Sequence, residues 1–461
     1  MTQKITKKKK KEKDAKTIKD KNNIKKDLEK KQEEHEEIIK ARKQNMRIYS
    51  IYRAVSLDLI FYYAIEFLFL TQVKNITASE VVLSYSFYAL FMIFLQVPAS
   101  IVIDRIGTKK STILANIFNA IFIFLIINCN GLEMLICAHL ISALCFALKD
   151  ISDGTLLEYS IPKTRKKGEI FARIEGKGYR NYFLFDAITA ICSGFLYVIN
   201  PYIPMYISLI FVIISIVMSL GFRDIEKIER KYSNNKVHKK SKRHYIKELK
   251  DIMLFITKSQ RLRSILLYSG ISWGIFSLIS TYRSSLLVDI KTPAQIITII
   301  AAIVGIASSI GSRYQVQFNK KFKNKSLTII LISLTLAIMI SGIAGLIKGL
   351  KIIPLIIITI SFIIININKG MSIVLTTRYL GNFATKKILT QIYAVNGMVK
   401  NIFRAIIGFI GSYLLDITNT ANATILVGIF MVVISLSLIS YMKTRLGLKP
   451  EEYDENEIYS K

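Results

Sequence analysis

The chain has 461 residues, 52% of them hydrophobic, and a mean hydropathy of +0.39. A water-soluble protein cannot keep a polar surface at that composition, so the bilayer is the expected solvent. Lys and Arg outnumber Asp and Glu by 64 to 32, but the surplus lies between long apolar stretches and ahead of the first one. That placement makes the charge a topology signal and argues against nucleic acid as a partner.

Residues 1–46 carry 17 Lys or Arg and 9 Asp or Glu with few large apolar side chains. They are expected to form a cytoplasmic tail, disordered or a solvated helix, that orients the protein or rests on anionic inner-leaflet lipid. No cleavable signal peptide is visible before the first apolar stretch near residue 48. Stretches long enough to cross about 30 Å of hydrocarbon then follow twelve times. They lie near 48–71, 79–103, 111–128, 132–159, 170–198 and 202–222, and again near 263–287, 293–312, 326–347, 352–378, 387–415 and 421–442.

The basic linker 223–262 divides these spans into bundles over 47–222 and 263–443, with a C-terminal tail over 444–461. Tyr245, Ile246, Leu249, Ile252, Met253 and Ile256 recur in the linker at helical spacing, which predicts an amphipathic helix along the membrane interface. The basic connections all fall on one side, and the opposite ones, such as Asn128–Gly131 and Asn200–Pro204, are short and nearly neutral. Both termini are therefore expected on the cytoplasmic side of the plasma membrane. Cys129, Cys137, Cys145 and Cys192 form no CxxC pair and are read as buried small hydrophobes.

The loop after the second span reads DRIGTKKS from Asp104 to Ser111, and the loop after the eighth reads NKKFKNKS from Asn319 to Ser326. Corresponding loops in two parallel six-span halves are the mark of a carrier built from internal repeats. Ser100, Asp104, Arg105, Gly107 and Lys109, preceded by Pro98, resemble the G-x-x-x-D-R-x-G-R-K loop of the major facilitator superfamily, with Thr108 replacing one base and Lys110 adding another. The resemblance implies an all-α membrane fold of twelve helices in two pseudo-symmetric six-helix bundles. It implies a gating role for the loop residues Asp104, Arg105, Gly107, Lys109 and Lys110, and a cavity lined by helices one, four, seven and ten. The chain departs from relatives with an intramembrane Arg in helix four, where it places His139. It also lacks the G-P pair of drug antiporters, offering Ser193 and Gly194 in helix five.

A charge at bilayer depth is a functional candidate unless it is paired. In the first span Asp58, Tyr62 and Glu66 fall at steps of four, which predicts one helical face toward the cavity. In the fourth, His139 is read as a proton carrier or an interhelical hydrogen bond, and Lys149 with Asp153 as an i, i+4 bridge. The fifth carries Asp186 near its middle. Between Asp251 and Asp416 the sole acid is Asp289, yet the spans there hold Arg283, Lys369, Lys400 and Arg404, with Asn366 and Asn396 on the same faces. Those bases require acids from the other half, backbone carbonyls or an anionic substrate.

No nucleotide-binding loop, HExxH or dinucleotide turn appears, so no cofactor, metal site or enzyme activity is expected. The expected function is secondary transport of a small organic solute by alternating access, proton-coupled and directed to export by analogy with efflux carriers, by a monomer. The alternatives are uptake, exchange or flipping of an organic or lipid-like anion, and, in another class, a membrane sensor or scaffold.

Overall fold

The computed structural model describes residue 33 and residues 35–162, 167–225, 227–228, 259–347, 349, 352–383 and 389–443. The predicted linker helix and the C-terminal tail lie outside these residues, as does most of the basic tail. Among the described residues the regular structure is helical, and eleven helices are long and apolar enough to cross a membrane. They are the second to twelfth predicted spans: Ala78–Ile106, Thr108–Ile127, Leu132–Ser160, Lys167–Ile199, Ile203–Leu220, Gln260–Asp289, Ala294–Phe322, Ser326–Gly345, Ile352–Phe383, Leu389–Ile417 and Thr420–Lys443.

The first span is the exception. A helix runs over 35–56, gives way to irregular backbone over 57–65, and resumes as a single turn, Glu66–Leu68, followed by a π-helical turn, Phe69–Val73. The predicted continuous face of Asp58, Tyr62 and Glu66 is thereby corrected. The segment has neither Pro nor Gly, so the usual causes of a break are missing. Instead the Asp58 carboxylate accepts the backbone N–H of Leu59 at 3.0 Å, a local bond that competes with the helical ladder. Phe61 takes a φ of 69°, strained for an aromatic residue, with its ring stacked on Phe211 at 5.8 Å.

The middle of the chain's first helix is tied to the fourth span and to the end of the sixth. Gln44 donates to the Gly221 carbonyl at 2.8 Å, and Asn45 donates to Ser160 Oγ at 3.0 Å while accepting from the Arg223 backbone N–H at 2.7 Å.

Helix contacts repeat on moving six spans along the chain. The third span packs on the fourth and sixth as the ninth packs on the tenth and twelfth, and the second packs on the fourth as the eighth packs on the tenth. Between the halves the second span meets the eleventh and the eighth meets the fifth, one contact mapping onto the other under the same shift. Interior positions are rich in small polar residues such as Ser84, Ser86, Ser208 and Ser215, which let helices approach closely. Large apolar side chains such as Phe183, Leu184, Val217 and Leu436 face outward, as expected against lipid. Cys129 and Cys145 are buried as predicted, whereas Cys137 and Cys192 are exposed, which corrects the expectation for those two.

Loop chemistry accounts for the tight turns. Thr77 and Glu80 form a reciprocal capping box at the start of the second span. At its end Gly107 adopts φ 87° and ψ 160°, a region that disfavours any side chain, and its carbonyl accepts both the N–H and the hydroxyl of Ser111.

Candidate functional site

Two adjoining chambers lie between the halves. One, of about 250 Å³, is lined by Trp273, Phe276, Ser277, Ser280 and Thr281 of the seventh span and by Lys369 of the tenth. The other, of about 260 Å³, is lined by Asp58, Tyr88, Phe122, His139, Ser142 and Phe146. Tyr63, Tyr85 and Arg404 belong to both walls. The break in the first span places Asp58 and Tyr63 at the cavity, where irregular backbone is tolerated because water rather than lipid faces it.

The bases of the C-terminal half converge here. The Lys400 and Lys369 ammoniums lie 4.9 and 5.8 Å from the centroid of one ring, that of Trp273. Arg404 reaches over to the N-terminal half, its guanidinium 4.9 Å from the Tyr88 ring and 5.8 Å from that of Tyr85. Among the described residues no carboxylate lies within 4 Å of Arg283, Lys369, Lys400 or Arg404, and the Nε groups of Arg283 and Arg404 are buried without a hydrogen-bond partner. Cation–π contact returns only about 0.5–2 kcal/mol per cation, short of the cost of holding a charge in a low dielectric.

The acids are placed otherwise than on one face. Asp58 alone lines the cavity; its second oxygen accepts the Tyr182 hydroxyl at 3.3 Å. Glu66 is only 4% exposed and accepts from the Tyr62 hydroxyl at 2.7 Å, so both are buried behind the wall. Asp186 is within electrostatic reach of Asp58 but does not line either chamber. His139 lines the wall among the rings of Tyr85, Tyr88 and Phe122, with Nδ1 3.1 Å from the carbonyl of Leu135, in its own helix, and Nε2 unpartnered. Asn366 bonds back to Phe362 in its own helix, and Asn396 is buried with its side-chain oxygen unpaired. The aromatic walls were missed in the sequence. Trp273 is the chain's single tryptophan and Tyr85 and Tyr88 stand three residues apart, but neither signal says which helices they face.

The predicted Lys149–Asp153 bridge is corrected. Lys149 donates to Asn116 at 3.1 Å, while Asp153 is claimed by Arg53 at 3.1 Å and by the Tyr52 hydroxyl at 3.2 Å. Arg53 also pairs with Glu175 at 3.3 Å, tying the first span to the fourth and fifth. A tertiary partner outcompetes the exposed-helix spacing rule because the bridge is buried. Replacing Arg53 takes from the buried Asp153 its ion-pair partner and leaves it the Tyr52 hydroxyl, so Arg53→Gln is expected to cost about 3 kcal/mol, the lower end for breaking a buried pair, read as a lowered melting temperature in detergent. An unchanged melting temperature would show the pair to be dispensable.

At the loop after the second span, Arg105 and Lys110 are exposed, and Lys109 is half-buried within reach of Asp224 and Arg223 beyond the sixth span. No group of three or more potential metal ligands occurs among the described residues.

The family model described as Major Facilitator Superfamily matches residues 54–406. The chain belongs to this superfamily. It is a transporter of that fold and not an enzyme, an integral membrane protein with two pseudo-symmetric halves. Among solved structures, the nucleoside transporter NupG matches with a TM-score of 0.66 at 12% identity, covering 87% of this chain and 99% of that one. A peptide transporter, POT, in complex with sulfate matches with a TM-score of 0.63 at 12% identity, covering 88% and 95%. A POT family transporter in complex with 5-aminolevulinic acid gives 0.59 at 15% identity, covering 88% and 96%. At these identities the likeness is one of fold. No curated protein matches the chain.

Proposed function

We propose that this transporter carries a small anionic organic solute by alternating access, with a proton as the coupled ion and Asp58 as its acceptor. The observation that supports this reading is that Lys369 and Arg404 line the cavity, and Lys400 packs on its wall residue Trp273, with no carboxylate within 4 Å of any of the three among the described residues. An anion supplies the missing counter-charge, and Arg404, rooted in one half and packed on tyrosines of the other, is placed to feel both halves move. The proposal takes up the anion reading of the sequence; a scaffold has little use for such embedded charges. Both termini are assigned to the cytoplasm and the loop with Asp104 and Arg105 to gating, on the basic loops and the superfamily motif.

Purified protein in liposomes tests it. A one-unit pH gradient supplies about 1.4 kcal/mol per coupled proton, hence roughly tenfold accumulation of a labelled substrate. Asp58→Asn keeps the oxygen that accepts from Leu59 but cannot ionise. It is expected to abolish gradient-driven accumulation while leaving substrate exchange within about twofold, since exchange needs no net proton transfer. Accumulation that persists in Asp58→Asn removes Asp58 as the proton acceptor. Lack of transport of any anion removes the anion reading, and the sidedness of accumulation distinguishes export from uptake.

A further inference from the structure

The chemistry of the cavity narrows the anion further, on the footing that the carrier binds anions there. Arg283, Lys369, Lys400 and Arg404 stand near one another: Lys369 is within electrostatic reach of both arginines, and Lys369 and Lys400 share Trp273. Against them the chamber walls present one carboxylate, Asp58, which is already bound to Tyr182 and to the backbone N–H of Leu59, and behind the wall Glu66 is within electrostatic reach of Arg404 alone, leaving the four bases in excess. A monocarboxylate ligand neutralises one of these bases and leaves the rest repelling each other. A phosphate monoester brings about −1.5 to −2 charges at neutral pH and three acceptor oxygens, enough to engage two ammoniums and a guanidinium together.

The walls also specify what the phosphate is attached to. Beside the bases stand Tyr63, Tyr85 and Phe276, an aromatic surface fit for a planar or apolar group. Each chamber holds about 250 Å³, the scale of a small metabolite and too little for a lipid with two long chains.

We propose that the site takes a soluble phosphate monoester, its dianionic phosphate held by Lys369, Lys400 and Arg404 around Trp273 and its organic part against the tyrosines. Trp273 is then the positioning residue for both lysines, holding them on one ring until the phosphate replaces that weak attraction with direct hydrogen bonds.

Since Trp273 is the chain's only tryptophan, its emission reports this site in the full-length protein. Phenyl phosphate, excited beyond its own absorption, should change that emission saturably. Methyl phenyl phosphate, with the same ring and phosphorus but one charge fewer, should bind at least tenfold more weakly. Lys369→Gln and Lys400→Gln should each weaken phenyl phosphate at least tenfold, and the diester comparison needs no variant should these fail to fold. Equal affinity for the diester overturns the dianion inference and leaves the anion carrier standing. Binding of benzylammonium with no response to any anion overturns both. A short-chain phosphatidate that binds tenfold more tightly than phenyl phosphate overturns the soluble ester in favour of a lipid headgroup.

Discussion

Arg404→Gln is expected to lower the initial rate of anion transport at least about thirtyfold, because losing one charged, desolvated contact to a ligand costs about 2–5 kcal/mol and each 1.4 kcal/mol is tenfold. Arg404 is singled out because it alone among the bases lines both chambers and packs on Tyr85 and Tyr88 from the opposite half. Arg404→Lys retains the charge but not the flat surface that stacks over Tyr88, and is expected to fall between the two, at roughly tenfold below wild type. Stability should move the other way. In the empty protein Arg404 has a buried Nε with no partner, so removing it relieves a desolvation penalty, and the melting temperature of Arg404→Gln should hold or rise. That sign separates it from Arg53→Gln, where an ion pair is broken. A variant that transports within threefold of wild type would show that Arg404 does not meet the ligand.

The elements of the site were unequally legible in the sequence. Lys369, Lys400 and Arg404 stood out because a base at bilayer depth with no acid in its own half is an anomaly that needs no structure to see. The turn at Gly107 was equally plain, since a two-helix connection that tight needs a residue without a side chain, and it has φ 87°. The break over 57–65 was not, because local sequence there reads as good helix and the cause is a side chain, Asp58, taking a backbone donor from the ladder. Partners across the bundle were equally hidden. Periodicity places Lys149 one turn from Asp153 but cannot reveal that Arg53 and Asn116 arrive from other helices to separate them. The same blindness applies to Trp273, whose importance rests on two lysines from the tenth and eleventh spans meeting on its ring.

Gly194→Ala is expected to reduce transport about tenfold in a protein that still folds and binds its ligand. The halves are held together at the ends of the spans remote from the Gly107 loop. There Ser412 donates to the Ser79 carbonyl at 2.9 Å and Phe87 meets Phe409 edge-on at 5.5 Å. On the pseudo-symmetric side, the fifth span approaches the eighth through Gly194. A Cβ there would sit 3.0 Å from Thr298 Cβ and 3.1 Å from Gln295 Cα, besides overlapping the Thr298 hydroxyl. Rotating Thr298 frees its hydroxyl but not the backbone of Gln295, so the added methyl pushes the two halves apart at this end. Overpacking of this kind costs about 1–3 kcal/mol, and a cost borne by only one of two conformations shifts their ratio about 5- to 150-fold. The closed seam is the state penalised, so the variant should populate the conformation open on the neutral-loop side. The population is measurable with Ser280→Cys, which lines the first chamber, in a background whose four cysteines are replaced. An impermeant maleimide added on the neutral-loop side should label it at least fivefold faster when Gly194 is Ala. An unchanged labelling rate would mean that this seam does not open during the cycle, and the rocking of the two halves would have to pivot on other contacts.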